Sequence, residues 1–425
     1  MARLSGIISS RDGNLIFNGV NTISLAKRYG TPLLVTSEIR LIENYTRLAS
    51  SFGKFYDKFR INYAVKANPN PNILSILRKI GAGADAASTG EIDIGLKAGV
   101  PEEKVIFSPN NAALSDFKYA IDKRIAVNFD DIGQYEIAGR YRNPELVSFR
   151  LNPGFGRGAF PGIVTAGPDA KFGIPAEQIM KCYALAKRSG VERFGIHAMG
   201  GSNVLDPRYF AAVTSRITEI AGQIADKLDI EFEFIDIGGG LGVPYKEQDH
   251  ELDITKTARL VAETFKERCK EFGLGRPWLT MEPGRYLVAD TTILLGTVNN
   301  VKNYSRAFIG TDIGMNVLLR PALYGAYHRI LVASKMNMPN RIKGTVVGQI
   351  CENTDVIAKD RSLPVVNVGD IVAVLNAGAY VYSMSNQYNS IPRPMEVLIT
   401  RRKKEVVIRR RETKEDVLRT VVFHK

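Results

Sequence analysis

The sequence predicts an α/β fold: an N-terminal parallel (β/α)8 barrel, TIM-like, and a C-terminal, mostly-β domain of barrel or sandwich type. Three observations predict it. From about residue 60 to 285, short β-rich runs alternate with stretches of helical period. Beyond Arg285, strand-like runs follow one another with little helix between them. The chain has 425 residues, 45% of them hydrophobic and 24% charged. That is ordinary globular composition, long enough for a barrel of about 250 residues and one further domain.

The barrel strands are read at Ile61–Lys66, Ala84–Ser88, Val105–Ser108, Ile125–Phe129, Val147–Asn152, Phe194–Met199, Phe232–Ile237 and Leu279–Glu282. Helices are read at Pro71–Ile80, Glu91–Ala98, Pro175–Ser189, Asp206–Leu228 and Asp253–Phe272, with apolar residues such as Ile73, Leu77 and Ile80 on one face. An open doubly wound sheet is the competing arrangement. The second domain is expected to hold strands at Thr297–Val301, Ala307–Thr311, Arg329–Ser334, Gly344–Ile350, Ile371–Leu375 and Glu396–Thr400. The short runs of residues 1–30 join it, so the barrel is expected over 31–285 and the β domain over 1–30 and 286–425.

Composition excludes several classes. Cys182, Cys269 and Cys351 are odd in number and far apart, which gives neither a disulfide framework nor a zinc spacing. There is no N-terminal apolar leader core and no run of 18 apolar residues, so secretion and membrane spanning are not expected and the cytoplasm is. The net charge is +13, and residues 401–425 hold ten Lys/Arg against four Asp/Glu. The basic clusters Arg401–Lys404 and Arg409–Arg411 flank Val406-Val407-Ile408, the pattern of a sheet-edge hairpin guarded by charge. No helix-turn-helix, zinc-finger or RNP pattern accompanies them, so no nucleic-acid partner is expected.

Reactive groups of a (β/α)8 barrel lie at the C-terminal ends of its strands. Lys66 ends the first, in Tyr63-Ala64-Val65-Lys66-Ala67-Asn68. It reads either as a solvated strand-end lysine or as a desolvated amine able to form a Schiff base. His197 and Met199 lie on the sixth, followed by Gly200, Gly201 and Ser202. The seventh ends in Gly238-Gly239-Gly240-Leu241-Gly242, a tight turn or a phosphate cradle of backbone N–H groups, without the residues of a P-loop or a dinucleotide fingerprint. The eighth ends in Glu282-Pro283-Gly284-Arg285, a rim salt bridge or a carboxylate and guanidinium for a cofactor and an anion. The β domain adds Arg320, Tyr324, Tyr380 and the pair Cys351-Glu352, where Cys351 ends an apolar strand. His250, His328 and His424 lack partners that suggest a metal, and none is expected. A Schiff-base lysine, a phosphate-binding glycine run, a carboxylate for a ring nitrogen and a positioned acid together fit pyridoxal phosphate.

On these residues the sequence resembles the fold-type III pyridoxal-phosphate decarboxylases over nearly its whole length. The specific stretches are Tyr63–Asn68, Ile235–Gly242, Glu282–Arg285, Arg320–His328, Cys351–Asp360 and Ala377–Glu396, with Tyr388-Asn389-Ser390-Ile391-Pro392-Arg393-Pro394 inside the last. The resemblance implies that Lys66 holds the cofactor covalently. It implies that Ser202, Gly238, Gly239, Gly240, Gly284, Arg285 and Tyr380 bind it, and that Glu282 pairs with its ring nitrogen. Arg285, Arg320, Tyr324 and Tyr380 would bind substrate, the arginines through a carboxylate, and Glu352 would take a distal ammonium. Cys351 would protonate the carbanion left by CO₂, reaching in from the second subunit of a homodimer with shared sites. The branch most like this chain takes meso-diaminopimelate to L-lysine and CO₂, the last step of lysine biosynthesis.

Two departures accompany the resemblance. Met199 stands where the family usually has a ring-stacking histidine, and the loop Pro153–Lys171 lacks its usual histidine. They leave open a sibling decarboxylase acting on another, or a carrier-bound, amino acid. A racemase would want a second base, usually a tyrosine, where this chain has Cys351 and Glu352. Non-enzymatic cofactor carriage is disfavoured by the C-terminal β domain.

Overall fold

The computed structural model describes residues 6–158, 160 and 164–424. Among them, eight parallel strands close a barrel in chain order: Phe59–Ala64, Gly83–Ala86, Val105–Phe107, Ala126–Phe129, Leu146–Asn152, Arg193–Ala198, Phe232–Asp236 and Trp278–Met281. The eighth pairs back onto the first through Leu279 opposite Phe59 and Met281 opposite Ile61. The sheet is therefore closed, and the doubly wound alternative is excluded.

Period-two alternation explains how these strands are buried on both sides. Along Ser148-Phe149-Arg150, Asn128-Phe129 and Asp236-Ile235 a polar residue alternates with an apolar one, yet nearly all are buried. The apolar set meets the helices. Phe107, Phe117, Phe129, Phe149, Tyr183 and Phe232 form a chain of ring contacts with centroids 5.0–6.2 Å apart, linking strands to the helices Leu114–Asp122 and Ala176–Arg188. The polar set fills the barrel: Ser148 Oγ donates to Asn128 Oδ1 at 3.0 Å, and Asp85, Asp236, Thr280 and His197 are all buried.

Several helices begin where a side chain caps them. Asn70 accepts the N–H of Asn72 ahead of Pro71–Lys79, Asp206 that of Arg208 ahead of Pro207–Leu228, and Asp253 that of Lys256 ahead of Ile254–Glu271. None of the described helices is long and apolar enough to cross a membrane.

The chain divides into two compact units, residues 42–244 with 250–287, which hold the barrel, and residues 1–41 with 245–249 and 288–425. The barrel unit thus begins at 42, where the sequence suggested 31. The reason is the strand Leu33–Ser37, which pairs antiparallel with Thr292–Asn303 and parallel with Met395–Ile399. In the other unit Leu34, Leu294, Val298, Ile309, Val346, Val372 and Val374 share one apolar core, and Leu33, Val35, Ile293, Leu295, Val397 and Ile399 another. Val356–Leu363 is a strand the sequence reading passed over. Glu405–Arg409 pairs with Met395–Ile399 at the end of the sheet, the charge-guarded edge hairpin foreseen from the basic clusters.

Tyr183 ties the barrel wall to its helices: its hydroxyl donates to the Gly195 carbonyl at 2.7 Å and accepts the Phe149 N–H at 3.3 Å, with the ring fully buried. Tyr183→Phe strands both groups and should cost about 1–3 kcal/mol. A urea titration should show a lower midpoint at unchanged slope. An unchanged midpoint would mean these bonds contribute nothing.

Candidate active site

The first barrel strand stops at Ala64, and Lys66 sits in the 3-10 turn Val65–Ala67 that follows. That turn lifts its side chain to the rim, where it is 44% exposed, so the amine is accessible instead of desolvated. Its Nζ donates to Asp85 Oδ2 at 2.7 Å, and Asp85 is completely buried at the end of the second strand. Burial and the charge of Glu282 push the Asp85 carboxyl above its ordinary range, against the pull of Lys66 and His197.

Glu282 follows the eighth strand and takes the opposite course. Burial pushes its carboxyl up, but the charge and hydrogen bond of His197, then Lys66 and Arg150, outweigh it and hold the group below its usual range. The contact is direct, His197 Nε2 lying 3.0 Å from Glu282 Oε2. The second oxygen, Oε1, is buried without a hydrogen-bond partner.

The glycine run packs by backbone approach. Gly238 takes a left-handed φ of +71° and receives Asp236 Oδ1 on its N–H at 2.8 Å, and its carbonyl accepts the Glu282 N–H at 2.9 Å. A Cβ on Gly239 would sit 2.3 Å from the Glu282 carbonyl oxygen. The Gly240 carbonyl accepts the Val204 N–H at 2.9 Å, just beyond Ser202, whose Oγ accepts from Arg285 Nη2 at 3.3 Å. A Cβ on Gly284 would meet those of Ala67 and Ala64 at 2.8 and 3.1 Å, so glycine there lets the eighth-strand loop pack on the turn carrying Lys66. Lys66, Glu282, Gly284, Arg285, Ser202 and the run Gly238–Gly240 thus converge on the C-terminal end of the barrel.

Met199 lies just past the sixth strand, and its Sδ accepts the Gly239 N–H at 3.1 Å, tying it to the glycine run. The loop 153–171 is anchored by Asn152, which accepts the N–H groups of Gly154 and Gly167. Residues 159 and 161–163 of that loop lie outside the described residues.

The other unit carries the remaining candidates. Arg320 opens the short helix Arg320–Tyr324, which sets Tyr324 one turn away. The guanidinium lies over the Tyr245 ring at 4.7 Å and its Nη1 is 2.8 Å from His328 Nε2. His328 Nδ1 is 2.9 Å from the Leu375 carbonyl, which can only accept; the proton is therefore on Nδ1, and Nε2 accepts from Arg320. Cys351 does not end a strand as expected. The strand stops at Val347, and Cys351 is exposed in the loop beyond it. That loop is pinned because Asp355 accepts the N–H groups of Ile350 and Met315, and Asn389 Oδ1 that of Cys351 at 2.8 Å. Glu352 accepts from the Tyr388 hydroxyl at 3.4 Å. Tyr380 holds a left-handed φ of +59°. Cys182 and Cys269 are buried in helices, their thiols pushed up to about 12 by burial.

Sequence reasoning missed Asp85, and it named His197 and His328 without giving either a role, because their partners Glu282 and Arg320 show only in the fold. A charged residue inside an otherwise apolar strand was the available signal. His197, Asp236 and Glu282 also offer metal-ligand atoms within 4.8 Å of one another, a grouping the sequence does not reveal, although two of the three already bond each other.

Residues 40–289 match the family model described as the pyridoxal-binding domain of pyridoxal-dependent decarboxylases. Diaminopimelate decarboxylase of Methanothermobacter thermautotrophicus is 44% identical over 414 residues, 96% of this chain and 95% of that one. Crystal structures of diaminopimelate decarboxylase from M. jannaschii, one in co-complex with L-lysine, are 33% and 32% identical, cover 98% of both chains and superpose with TM-scores of 0.88 and 0.87. The chain belongs to the pyridoxal-dependent decarboxylases. Within that family its near-full-length similarity is to enzymes named for diaminopimelate.

The residues present fit the family's cofactor. Glu282 Oε1 is a buried acceptor that a protonated ring nitrogen would satisfy, and Lys66 offers an accessible amine to a carbonyl. Because Lys66 is the nearest cation to Asp85, Lys66→Ala should raise the Asp85 carboxyl still further. Infrared difference spectra should then show Asp85 protonated to higher pH than in the parent. No change would mean that the pair is not electrostatically coupled.

Proposed function

We propose that the chain removes a carboxylate from meso-diaminopimelate, releasing CO₂ and L-lysine, with pyridoxal phosphate as cofactor. The reading rests above all on the near-full-length similarity to diaminopimelate decarboxylases. The bound cofactor supplies an electron sink for the pair left behind by the departing carboxylate.

The chain's own residues supply everything else. Lys66 would hold the cofactor, and Ser202, Gly238, Gly239, Gly240, Gly284, Arg285 and Tyr380 would bind it. Glu282, whose Oε1 is a buried acceptor without a partner, would pair with the ring nitrogen and favour its protonated form. Arg320 presents a guanidinium kept in place by His328 and Tyr245, suited to a carboxylate at the far end of the substrate. In this reading Arg285, Tyr324 and Tyr380 also bind the substrate, and Glu352 takes the distal ammonium. Cys351 delivers a proton to the α-carbon after CO₂ leaves. Its thiol is exposed in a loop, in keeping with a two-fold homodimer in which Cys351 serves the partner's site. A cytoplasmic setting agrees with three free cysteines.

One observation favours a second reading. Met199 is drawn to the glycine run by its Gly239 contact, which alters one wall of the site and suits a sibling decarboxylase for another amino acid.

Purified protein loaded with pyridoxal phosphate should convert meso-diaminopimelate to L-lysine and CO₂. Lys66→Ala should abolish turnover, and Cys351→Ala should lower it by about a hundredfold or more. Mixing the two variants should raise activity above that of either alone if the sites are shared. Turnover of a different amino acid alone would establish the sibling reading, and no decarboxylation at all would sink both.

A further inference from the structure

His197 is a buried imidazole for which the chemistry above has no use. It sits on the sixth barrel strand, opposite Arg150 of the fifth and Asp236 of the seventh in the parallel ladders. Its side chain is 2% exposed and that of Glu282 5%. Nε2 contacts Glu282 Oε2 at 3.0 Å, while Nδ1 and Asp236 Oδ2 are buried with no hydrogen-bond partner. The charged groups around it are Asp85, Asp236 and Glu282 on one side of the balance and Lys66, Arg150 and Arg60 on the other.

The three carboxylates behave differently. Burial and the charge of Glu282 push Asp236 well above its ordinary range, and burial raises Asp85 as well. Glu282 alone is held down, and among these three it alone has a hydrogen bond from the imidazole. The bond also selects an oxygen. With Oε2 occupied by His197, the atom left for a ligand is Oε1.

We propose that His197 is a positioning residue for the cofactor: it engages Glu282 Oε2 as an imidazolium, so that an ionised Glu282 presents Oε1 to the ring nitrogen. The inference rests on the reading that Glu282 meets that nitrogen. It makes His197 the source of the carboxylate's charge state, without contact between His197 and the substrate. The imidazolium is the counter-charge that a carboxylate buried this deeply requires.

Two substitutions separate charge from geometry. In His197→Leu both the bond and the cation are gone. In His197→Gln an amide N–H still reaches Oε2, but the charge is absent. The measurements are pyridoxal phosphate affinity, cofactor absorbance against pH, and kcat and KM, with Glu282→Gln as control. His197→Leu should weaken cofactor retention about ten- to a hundredfold, the worth of a charge-assisted hydrogen bond, and lower kcat with little change in substrate KM. His197→Gln should recover most of the retention, yet the acid limb of its kcat profile should lie at higher pH. The sign follows because a Glu282 deprived of its cation takes up a proton at higher pH.

A wild-type spectrum, affinity and pH profile in His197→Gln would overturn the inference, provided Glu282→Gln perturbs them; this holds even if His197→Leu does not fold. If Glu282→Gln itself leaves cofactor spectrum and rate unchanged, the role given to Glu282 fails, and the inference with it. A loss in both His197 variants that tracks only thermal stability, with the pH profile unmoved, would make His197 structural and also overturn it.

Discussion

Three carboxylates inside one barrel are the constraint on which the site depends. Asp85, Asp236 and Glu282 are all buried, and an isolated buried charge costs several kcal/mol even after relaxation. Each is accommodated in its own way. Asp85 is paired with the rim lysine, Glu282 with an imidazole, and Asp236 accepts a glycine N–H while burial and Glu282 drive it towards the neutral acid. Remove any one partner and the others' charge states shift, because Glu282 pushes on both aspartates and Lys66 pulls on Asp85 and Glu282. The barrel interior is therefore one coupled electrostatic object.

Such an interior is possible only because the outer faces of the strands carry the apolar burial. The aromatic chain from Phe107 to Phe232 and the helices it touches supply the packing that the polar lumen forgoes. The strand ends then need to approach one another closely. Gly239 against the Glu282 carbonyl and Gly284 against Ala64 and Ala67 are the points where a side chain would wedge the loops apart. Backbone approach and buried charge are thus linked: the glycines bring the eighth-strand loop, with Glu282, against both the seventh-strand turn and the turn of Lys66.

The barrel strands were legible in sequence to within about two residues because β-rich runs and the helical period of the stretches between them agree along the chain. Leu33–Ser37 was not. A five-residue strand buried throughout has no pattern that marks its sheet, and its partners Thr292–Asn303 and Met395–Ile399 lie far along the chain. Cys351 was misplaced at a strand end because the strand was read through to Ile350, whereas the backbone beyond Val347 turns on the N–H bonds accepted by Asp355. Lys66, Glu282 and the glycines could be read as candidates from residue type and position at strand ends. Asp85 could not, and His197 and His328 were visible only as residues without a role, since a buried polar group declares its part only once its partner is placed beside it.

The two units use charge differently. In the barrel the important groups can change protonation: a lysine, an imidazole and carboxylic acids, tuned by one another. In the other unit the candidate anchor is Arg320, whose charge is fixed. Its companion His328 is locked in the tautomer that accepts from the guanidinium, because the Leu375 carbonyl claims the Nδ1 proton. Protonating His328 would set two cations face to face in a buried place, so the arrangement selects the neutral ring. A lysine in place of Arg320 would have no plane to lay over Tyr245 and no fixed direction for its donors. Chemistry that moves protons is thus built from titratable groups on barrel strands, and recognition of a constant negative charge from a guanidinium held rigid on two sides.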